Sequence, residues 1–294
     1  MHFDPSPGRR IVVGLGSPDQ DQAALRWALA EATRRGLPLH LVHAYEWRPG
    51  PVWPARLRSV PAGLVAEARG RAEELLAAVV AQIRASHPEP IVLPKAVEGP
   101  VTEVLQGESR TAELLVIGAR QRASWGSMLG SVEQGIAERS DCPVVVVRDV
   151  AGSVASRVVV GLDLGGDSDL LLAFAFDEAQ RRGAVLEAIT CWRPELTDSE
   201  AVPASSVDDE AATVEGELCG ELAPWARKFP EIEVVATVSG RRPVPGLIER
   251  GSGQELLVLG RPGSHPVRAQ LGSVHLAALR QARCPVALVP LGQH

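Results

Sequence analysis

A glycine-containing loop between Gly260 and Ser273 carries residue types that can hold a phosphate group. The loop follows an apolar run at 256–259, typical of a buried strand, and precedes a short helix predicted over 274–281. Glycine lets the backbone come close to an anion, and the first amides of a helix point N–H groups at it. Ser273 could cap the helix and add a hydroxyl donor. The residue types and their order therefore predict an anion-binding site.

A related stretch lies earlier in the chain, where an apolar run at 114–117 precedes Gly118 and, later, Gly130 and Ser131. It is one of four segments that recur in the same order: 10–15 with 157–162, 47–49 with 192–194, 114–118 with 256–260, and 142–144 with 284–286. We interpret the chain as a duplication. Its 294 residues suit two domains of about 150 residues, predicted at 1–152 and 153–294 with a linker near 149–156.

Predicted strands and helices alternate within each copy. The strands are continuous apolar runs, at 10–14, 38–45, 91–97, 113–117 and 143–147, then at 157–161, 185–191, 232–238, 255–259 and 285–289. The helices between them include a first one capped by Ser17, one over 62–86, and one over 131–139 that opens with a capping box of Ser131 and Gln134. This alternation favours an α/β fold with a parallel sheet covered on both faces in each domain.

Two polar features of the second copy follow neighbouring strands of the predicted sheet. Asp163 comes directly after the first strand, and Gly260 ends the fourth. Ligands of open α/β sheets bind at the carboxyl ends of the strands, where the strand order reverses. The sequence therefore predicts one crevice that holds both features, although Asp163 could equally cap or solvate a strand end. His265 and His275 flank the loop, either in contact with a phosphate or facing solvent.

The composition limits the classes of partner. A net charge of −6 argues against a protein that coats nucleic acid, because phosphate neutralisation needs a basic face. No apolar run approaches the ~20 residues of a membrane-spanning helix, and residues 1–10 lack an apolar signal core. The four cysteines fit no zinc-binding spacing and read as reduced thiols. We expect a cytoplasmic protein without a nucleic-acid or membrane partner.

The sequence contains no catalytic constellation. It has no nucleophile elbow, no HExxH motif and no Walker lysine, and neither glycine loop contains a lysine. Fast phosphoryl transfer needs positive charge around the γ-phosphate, which only the arginines of the loops could supply: Arg120, Arg122, Arg261 and Arg268. The Gly14-Leu15-Gly16 sequence is a weak dinucleotide signal, because Asp19 stands where the third glycine belongs. We predict no catalytic residue.

Taken in order, these segments resemble the universal stress protein family, twice along nearly the whole chain. The resemblance is carried by 158–163, 260–263, 271–274 and 284–286 in the second copy, and by 11–15, 97–100, 118, 129–132 and 142–147 in the first. It implies two doubly wound, Rossmann-like domains with strand order 3-2-1-4-5 and an adenine-nucleotide α-hydrolase-like topology. It also implies ATP binding, and pairing of the two domains through their fifth strands as a pseudo-dimer within one chain.

The resemblance assigns roles to individual residues. In the second copy, Gly260, Gly263, Gly272 and Ser273 would cradle the triphosphate, Asp163 would lie near the ribose or a phosphate-bound Mg²⁺, and Ile189 would pack against adenine. The corresponding residues of the first copy are Gly14, Ala44, Gly118, Gly130 and Ser131. That copy departs from the family pattern: Gln121 replaces the second motif glycine, and no aspartate directly follows its first strand. We therefore expect ATP in the second copy and a degenerate or weaker site in the first.

Three functions follow as hypotheses. The first is an ATP-binding regulator of a stress response that acts on an unidentified protein partner, either as the pseudo-dimer within one chain or as a homodimer. The second is an enzyme limited to slow ATP hydrolysis, nucleotide transfer or autophosphorylation. The third is an interaction protein without a nucleotide.

Overall fold

The computed structural model describes residues 9–46, 62–86, 90–119, 130–148, 155–192, 204–262 and 271–292. Several residues singled out by sequence lie outside these ranges: Arg120, Gln121, Arg122, Gly263, His265 and Arg268. The chain forms two compact units that divide near residue 148. Each unit is described by itself below.

The N-terminal unit contains β1 (Ile11–Gly14), α1 (Gln22–Arg35), β2 (Leu39–Tyr45), α2 (Ala62–Ser86), β3 (Val92–Glu98), α3 (Val101–Ser109), β4 (Leu114–Gly118), α4 (Ser131–Arg139) and β5 (Val144–Val147). Its strands pair in parallel in the order β3-β2-β1-β4-β5. The strand order reverses between β1 and β4, so the connections that leave these two strands diverge and leave a crevice at their carboxyl ends.

The C-terminal unit contains β6 (Ala155–Gly161), α5 (Asp169–Arg182), β7 (Val185–Cys191), α6 (Ala204–Lys228), β8 (Val234–Ser239), α7 (Pro243–Gly251), β9 (Gln254–Arg261), α8 (Ser273–Gln281) and β10 (Val286–Pro290). Its strands also pair in parallel, in the order β8-β7-β6-β9-β10. The predicted α/β class and the strand order 3-2-1-4-5 are confirmed in both units.

The central strands form because their apolar residues are buried on both faces. Ile11, Val12 and Val13 of β1 have no exposed surface, and neither do Val158 to Val160 of β6. The helices contribute one apolar face each; in α5 this face includes Leu172 and Phe176, both fully buried. The apolar middle of β1 and of β6 offers a ligand no polar group, so the polar groups that a ligand can reach near these two strands lie beyond their carboxyl ends.

Three predicted helix caps are wrong, although the predicted helix range of 131–139 is confirmed. The first helix begins at Gln22 with Asp21 as its N-cap, and Ser17 instead closes a turn in which the amides of Gln20 and Asp21 donate to its carbonyl. Helices α4 and α8 have Gly130 and Gly272 as N-caps, so Ser131 and Ser273 are first helical residues that make no side-chain cap bond. A glycine can take the extended N-cap conformation without a side-chain hydrogen bond, so the serine is not needed there.

Strand boundaries differ from the predicted ones by at most two residues. The largest consequence concerns the predicted linker near 149–156: residues 155 and 156 already belong to β6. Helix α1 ends as its sequence predicts, since Gly36 adopts a left-handed conformation with φ of 61° and donates its amide to Thr33.

Candidate functional site

A cavity of about 910 Å³ opens in the C-terminal unit at the carboxyl ends of its strands. Three of the residues predicted to bind a ligand line it: Asp163 after β6, Ile189 in β7 and Gly260 in β9. The first turns of α7 and α8 close two sides, through Pro243 and through Val274 and His275. The volume is within the range of about 300–1,000 Å³ that is usual for small-molecule sites.

The inner wall of this cavity is apolar. It is formed by Leu162, Leu171, Ile189, Leu247 and Leu259, each of them buried. Ile189 is held in place by the sheet, because it stands beside Gly161 in the register of β6 and β7 and its carbonyl accepts the amide of Leu162 at 2.9 Å. Such a wall suits a flat, weakly polar ring.

The outer part of the cavity carries the polar groups. Asp163 and Asp167 are exposed carboxylates on the turn after β6, and Ser168 and Thr190 add hydroxyl groups. Sequence reasoning found only Asp163 among these. Asp167 and Ser168 follow Gly165, whose φ of 87° reverses the chain and brings the turn back over the cavity. That glycine, four residues before the start of α5, is the signal that could have revealed them.

Two glycines let the strands approach their neighbours closely. A Cβ added to Gly161 would lie 2.8 Å from Leu247 Cδ2, and a Cβ added to Gly260 would lie 2.9 Å from Leu291 Cδ1. Both distances are too short for carbon atoms in contact. Gly260 therefore has a packing role at the edge of the cavity in addition to its predicted role in admitting a phosphate.

His275 lines the cavity instead of facing solvent. Its Nε2 atom lies 2.6 Å from the carbonyl oxygen of Gly260. Since a carbonyl only accepts, Nε2 carries the proton and donates, and Nδ1 is the unprotonated nitrogen of the neutral ring. Nδ1 is buried and has no hydrogen-bond partner in the described part of the chain. Burial, chiefly, and the nearby Arg261 lower the pKa of His275, against an opposing effect of the Gly260 carbonyl.

The remaining predicted residues of this site lie at its edge. Gly272 and Ser273 are exposed at the start of α8, immediately before the two helical residues that line the cavity. The described residues contain no group of three or more potential metal ligands. Asp163 could still serve Mg²⁺ as a single carboxylate, because Mg²⁺ in nucleotide sites is bound mainly by phosphates and water.

The N-terminal unit has a much smaller pocket, of about 160 Å³, in the matching place. Three predicted residues line it: Gly14, Ala44 and Gly118. Gly130 and Ser131 stand at the start of α4, whose following residues, Val132 and Glu133, complete the lining. The pocket also contains Asp21, which sequence reasoning did not include.

Two buried carboxylates occupy this smaller pocket. Asp21 is 5% exposed; its Oδ2 accepts the amides of Gly16 at 2.6 Å and Ser17 at 2.9 Å. Its Oδ1 lies 2.5 Å from the position that a Cβ on Gly118 would take. Glu133 is 4% exposed and folds back onto Gly130, with its Cδ 3.0 Å from the corresponding position there. The backbone groups predicted to meet a phosphate are thus covered by side chains of the same unit.

The fold and these pockets define a protein of two successive doubly wound α/β domains, each with its pocket where the strand order reverses. The model of the family described as "Universal stress protein family" matches residues 8–148 and again 155–290. The chain belongs to the universal stress protein family.

Individual relatives agree with this assignment. A universal stress protein of Mycobacterium tuberculosis strain H37Rv is 32% identical over 292 residues, which cover 94% of this chain and 95% of the relative. One of Mycolicibacterium smegmatis is 30% identical over 291 residues, covering 95% and 96%. The crystal structure of a universal stress protein from Archaeoglobus fulgidus superimposes with a TM-score of 0.67 at 19% identity, covering 96% of this chain and 98% of that one, and so shares its fold.

The helices that the structure describes include none that is both long and apolar enough to cross a membrane.

Proposed function

We propose that the C-terminal domain, residues 153–294, binds ATP or a closely related adenine nucleotide, and that the protein is a nucleotide-responsive regulator of a stress response. The observation that carries this proposal is the open cavity of about 910 Å³ between β6, β9 and the start of α8. It combines an apolar wall with a polar rim, as a nucleotide requires.

The proposed pose follows from the two ends of the cavity. The adenine ring packs against Ile189 and the leucines around it, and the ribose lies beside Asp163. The phosphates extend toward Gly260, where the first amides of α8, at Gly272 and Ser273, point toward an anion. Gly263 takes its part in the same glycine loop, and Asp163 contacts a phosphate-bound Mg²⁺ if the metal enters with the nucleotide.

A binding role is favoured over an enzymatic one by the charges of the cavity. Among the described residues that line it there is no lysine and no arginine. Phosphoryl transfer is accelerated mainly by positive groups placed around the γ-phosphate. Any ATP hydrolysis or autophosphorylation would therefore be slow.

Regulation requires that the nucleotide prefers one of two states of the protein. We propose that occupancy of the glycine loop and the α8 terminus changes the affinity for an unidentified protein partner in the cytoplasm, or the pairing of domains within and between chains. Sedimentation of the full chain with and without ATP measures the second of these effects. A nucleotide that alters neither property would contradict the regulatory part of the proposal alone.

The binding itself is tested by calorimetric titration of the full chain with MgATP. A Gly272→Glu variant should bind at least about 10-fold more weakly, because it places a carboxylate at the phosphate end. Gly272 has a φ of −66°, and a Cβ there meets nothing closer than His275 Nδ1 at 3.6 Å, so the variant should fold. Gly220→Glu, on α6 where a Cβ has open space, is the matched control and should bind as the wild type does.

Mass spectrometry of the undenatured protein identifies which nucleotide co-purifies. A wild-type chain that binds no adenine nucleotide at millimolar concentration would overturn the proposal in favour of a nucleotide-free interaction protein. ATP turnover lost in Asp163→Ala would favour the enzyme.

A further inference from the structure

The two pockets of this protein differ at two matching positions. Glu133 and His275 are each the third residue of a helix that begins at the serine of a Gly-Ser pair. Asp21 and Ser168 are each the N-cap residue of the helix that follows the first strand. The N-terminal member is a carboxylate in both cases, and the C-terminal member is not. We propose that Asp21 and Glu133 close the N-terminal pocket to anionic ligands by filling its phosphate positions with carboxylates of the protein itself.

Glu133 fills the position at the helix end. Its carboxylate returns to Gly130, the N-cap of α4, where the unpaired amides of the first turn and the helix dipole favour a negative charge. A phosphate bound there would have to displace a side chain that is 96% buried. In the C-terminal unit the matching His275 contacts the Gly260 carbonyl instead. The N-terminus of α8 therefore receives no carboxylate from that position.

Asp21 fills the position at the strand ends. One of its oxygens accepts the amides of Gly16 and Ser17, shortly after β1, and the other lies against Gly118, the glycine that matches Gly260. The amides and the bare glycine backbone that would receive a phosphate are therefore both occupied. The matching Ser168 has no carboxylate, and the nearby Asp163 and Asp167 are exposed, so they do not fill the C-terminal cavity.

Volume and charge act in the same direction. The N-terminal pocket, at about 160 Å³, is below the range of about 300 Å³ and upward that ligand sites occupy. Its described lining contains two buried carboxylates and neither lysine nor arginine, so an added anion would meet repulsion that solvent screens weakly. The inference is that one chain binds one nucleotide, and that its N-terminal domain keeps a permanently filled pocket.

The test compares two full-length variants that both carry Gln121→Gly, which restores the second motif glycine. One of them also carries Asp21→Ser and Glu133→His, the residues found in the C-terminal unit. Equilibrium dialysis with MgATP should show one more nucleotide bound per chain in that variant than in its parent. Equal numbers bound by the two folded proteins would overturn the inference. If Asp21→Ser with Glu133→His does not fold, Asp21→Ala with Glu133→Ala takes its place, because it also removes both carboxylates and their volume, with the same expected gain and the same contradicting outcome.

The number of nucleotides bound per chain distinguishes this inference from the proposed function. Only the statement about the C-terminal domain rests on the proposed function, and the statement about the N-terminal pocket does not. A rise from one nucleotide to two supports both, and a rise from none to one supports the inference while the proposed function fails. A wild-type chain that binds two nucleotides supports the proposed function and overturns the inference. The reciprocal His275→Glu change should weaken ATP binding at least about 10-fold, whereas the same charge placed on α6 by Gly220→Glu should not.

Discussion

At the scale of single residues, the imidazole ring of His275 makes the stability of the C-terminal domain depend on pH. In the folded protein the ring is neutral, with Nε2–H donating to Gly260. Burial holds its pKa below the ordinary value of 6.5, and the positive charge of Arg261 acts in the same direction. The protonated ring would have to keep a second N–H, at the buried Nδ1, without a partner among the described residues. The folded state therefore resists protonation at this residue.

This resistance predicts a loss of stability in mild acid. At pH values between the lowered pKa of the folded state and the unfolded value of 6.5, His275 is protonated in the unfolded chain but not in the folded one. The free energy of unfolding therefore falls as the pH falls through that window. The contribution is fully present above pH 6.5. We expect the C-terminal domain of the wild type to lose more thermal stability from pH 7.5 to 5 than a His275→Gln variant does.

The measurement is a series of calorimetric melts of both proteins across that range. His40 in the N-terminal domain also has a lowered pKa, caused mainly by burial, and it contributes equally to both series. Only the difference in slope between the two proteins reports on His275. Parallel slopes would show that the ring is protonated as readily in the folded protein as in the unfolded chain.

At the scale of elements, each domain joins a helix to its sheet through a buried carboxylate. The carboxylate belongs to the helix in the N-terminal domain and to the sheet in the C-terminal domain. In the N-terminal domain Glu108 of α3 accepts hydrogen bonds from Lys95 of β3 at 2.6 Å and from Arg10, the residue before β1, at 3.2 Å. In the C-terminal domain the carboxylate is Glu187 of β7, which accepts Arg157 of β6 at 2.6 Å. Both domains thus have an ion-pair cluster between a helix and the sheet, but the acidic residue of the cluster stands at a different position in each domain.

The helix partner of Glu187 is Arg250 of α7, at 3.1 Å, and it stands at the position that Glu108 holds in α3. Thr237 of β8, at the position of Lys95, donates to the same carboxylate oxygen at 3.0 Å. Acid and base have therefore exchanged places between helix and sheet. What both domains retain is a charge pair that joins the helix to the sheet.

Removal of the Glu187 carboxylate should therefore destabilise the C-terminal domain. Glu187 is 2% exposed and its loss leaves three donors without their acceptor. We expect Glu187→Ala to cost about 2 kcal/mol in urea unfolding, less than the 3–5 kcal/mol of fully buried pairs, because the Arg157 and Arg250 side chains are 34% and 52% exposed.

A control for this change lies on α7, beside Arg250. Glu249 pairs with Arg241 at 3.0 Å, but both side chains are more than half exposed. Glu249→Ala should change the free energy of unfolding by less than about 0.5 kcal/mol. Equal effects of the two substitutions would mean that the buried cluster contributes no more than a surface pair.

The elements could be predicted from sequence better than the contacts between them. Strands such as β4 and β9 contain a continuous apolar run of at least four residues, and that pattern predicts both their type and their place in a parallel sheet. The end of each strand is then known, which is why Asp163 and Gly260 were assigned to one crevice. Glu187 and Arg250 are 63 residues apart, and their contact depends on sheet register and helix rotation, which no local pattern encodes.

The filled N-terminal pocket was partly predictable. The absence of an aspartate directly after β1 and the presence of Gln121 indicated a weaker site. The roles of Asp21 and Glu133 were missed for a physical reason. Each side chain lies at the start of a helix and folds back onto backbone amides or glycines that precede it in the fold. The cap residue of each helix must be known before that return can be foreseen, and the caps were predicted at Ser17 and Ser131 instead of Asp21 and Gly130.

At the scale of the whole molecule, the two domains keep their packing and differ in their chemistry. A Cβ on Gly14 would lie 2.7 Å from Leu105, and a Cβ on the matching Gly161 would lie 2.8 Å from the matching Leu247. The helix after the third strand thus rests on the first strand in the same way twice. At the two matching pocket positions, in contrast, one domain has carboxylates, Asp21 and Glu133, and the other has a hydroxyl and an imidazole, Ser168 and His275.

This division predicts that nucleotide stabilises only one half of the protein. A ligand that binds the folded state alone adds about 2.7 kcal/mol at a concentration of 100 times its Kd, which slows amide exchange through global unfolding about 100-fold. With saturating MgATP, hydrogen exchange read by mass spectrometry should slow in β7, β9 and α8 and stay unchanged in β2, β4 and α4. The Gly272→Glu chain serves as the control: because it should bind at least about 10-fold more weakly, its slowing in the C-terminal half at the same MgATP concentration should be smaller by about that factor or more. Slowing of equal size in both domains would mean that the carboxylates of Asp21 and Glu133 yield to the nucleotide, because stabilisation by a ligand follows the pocket that it occupies.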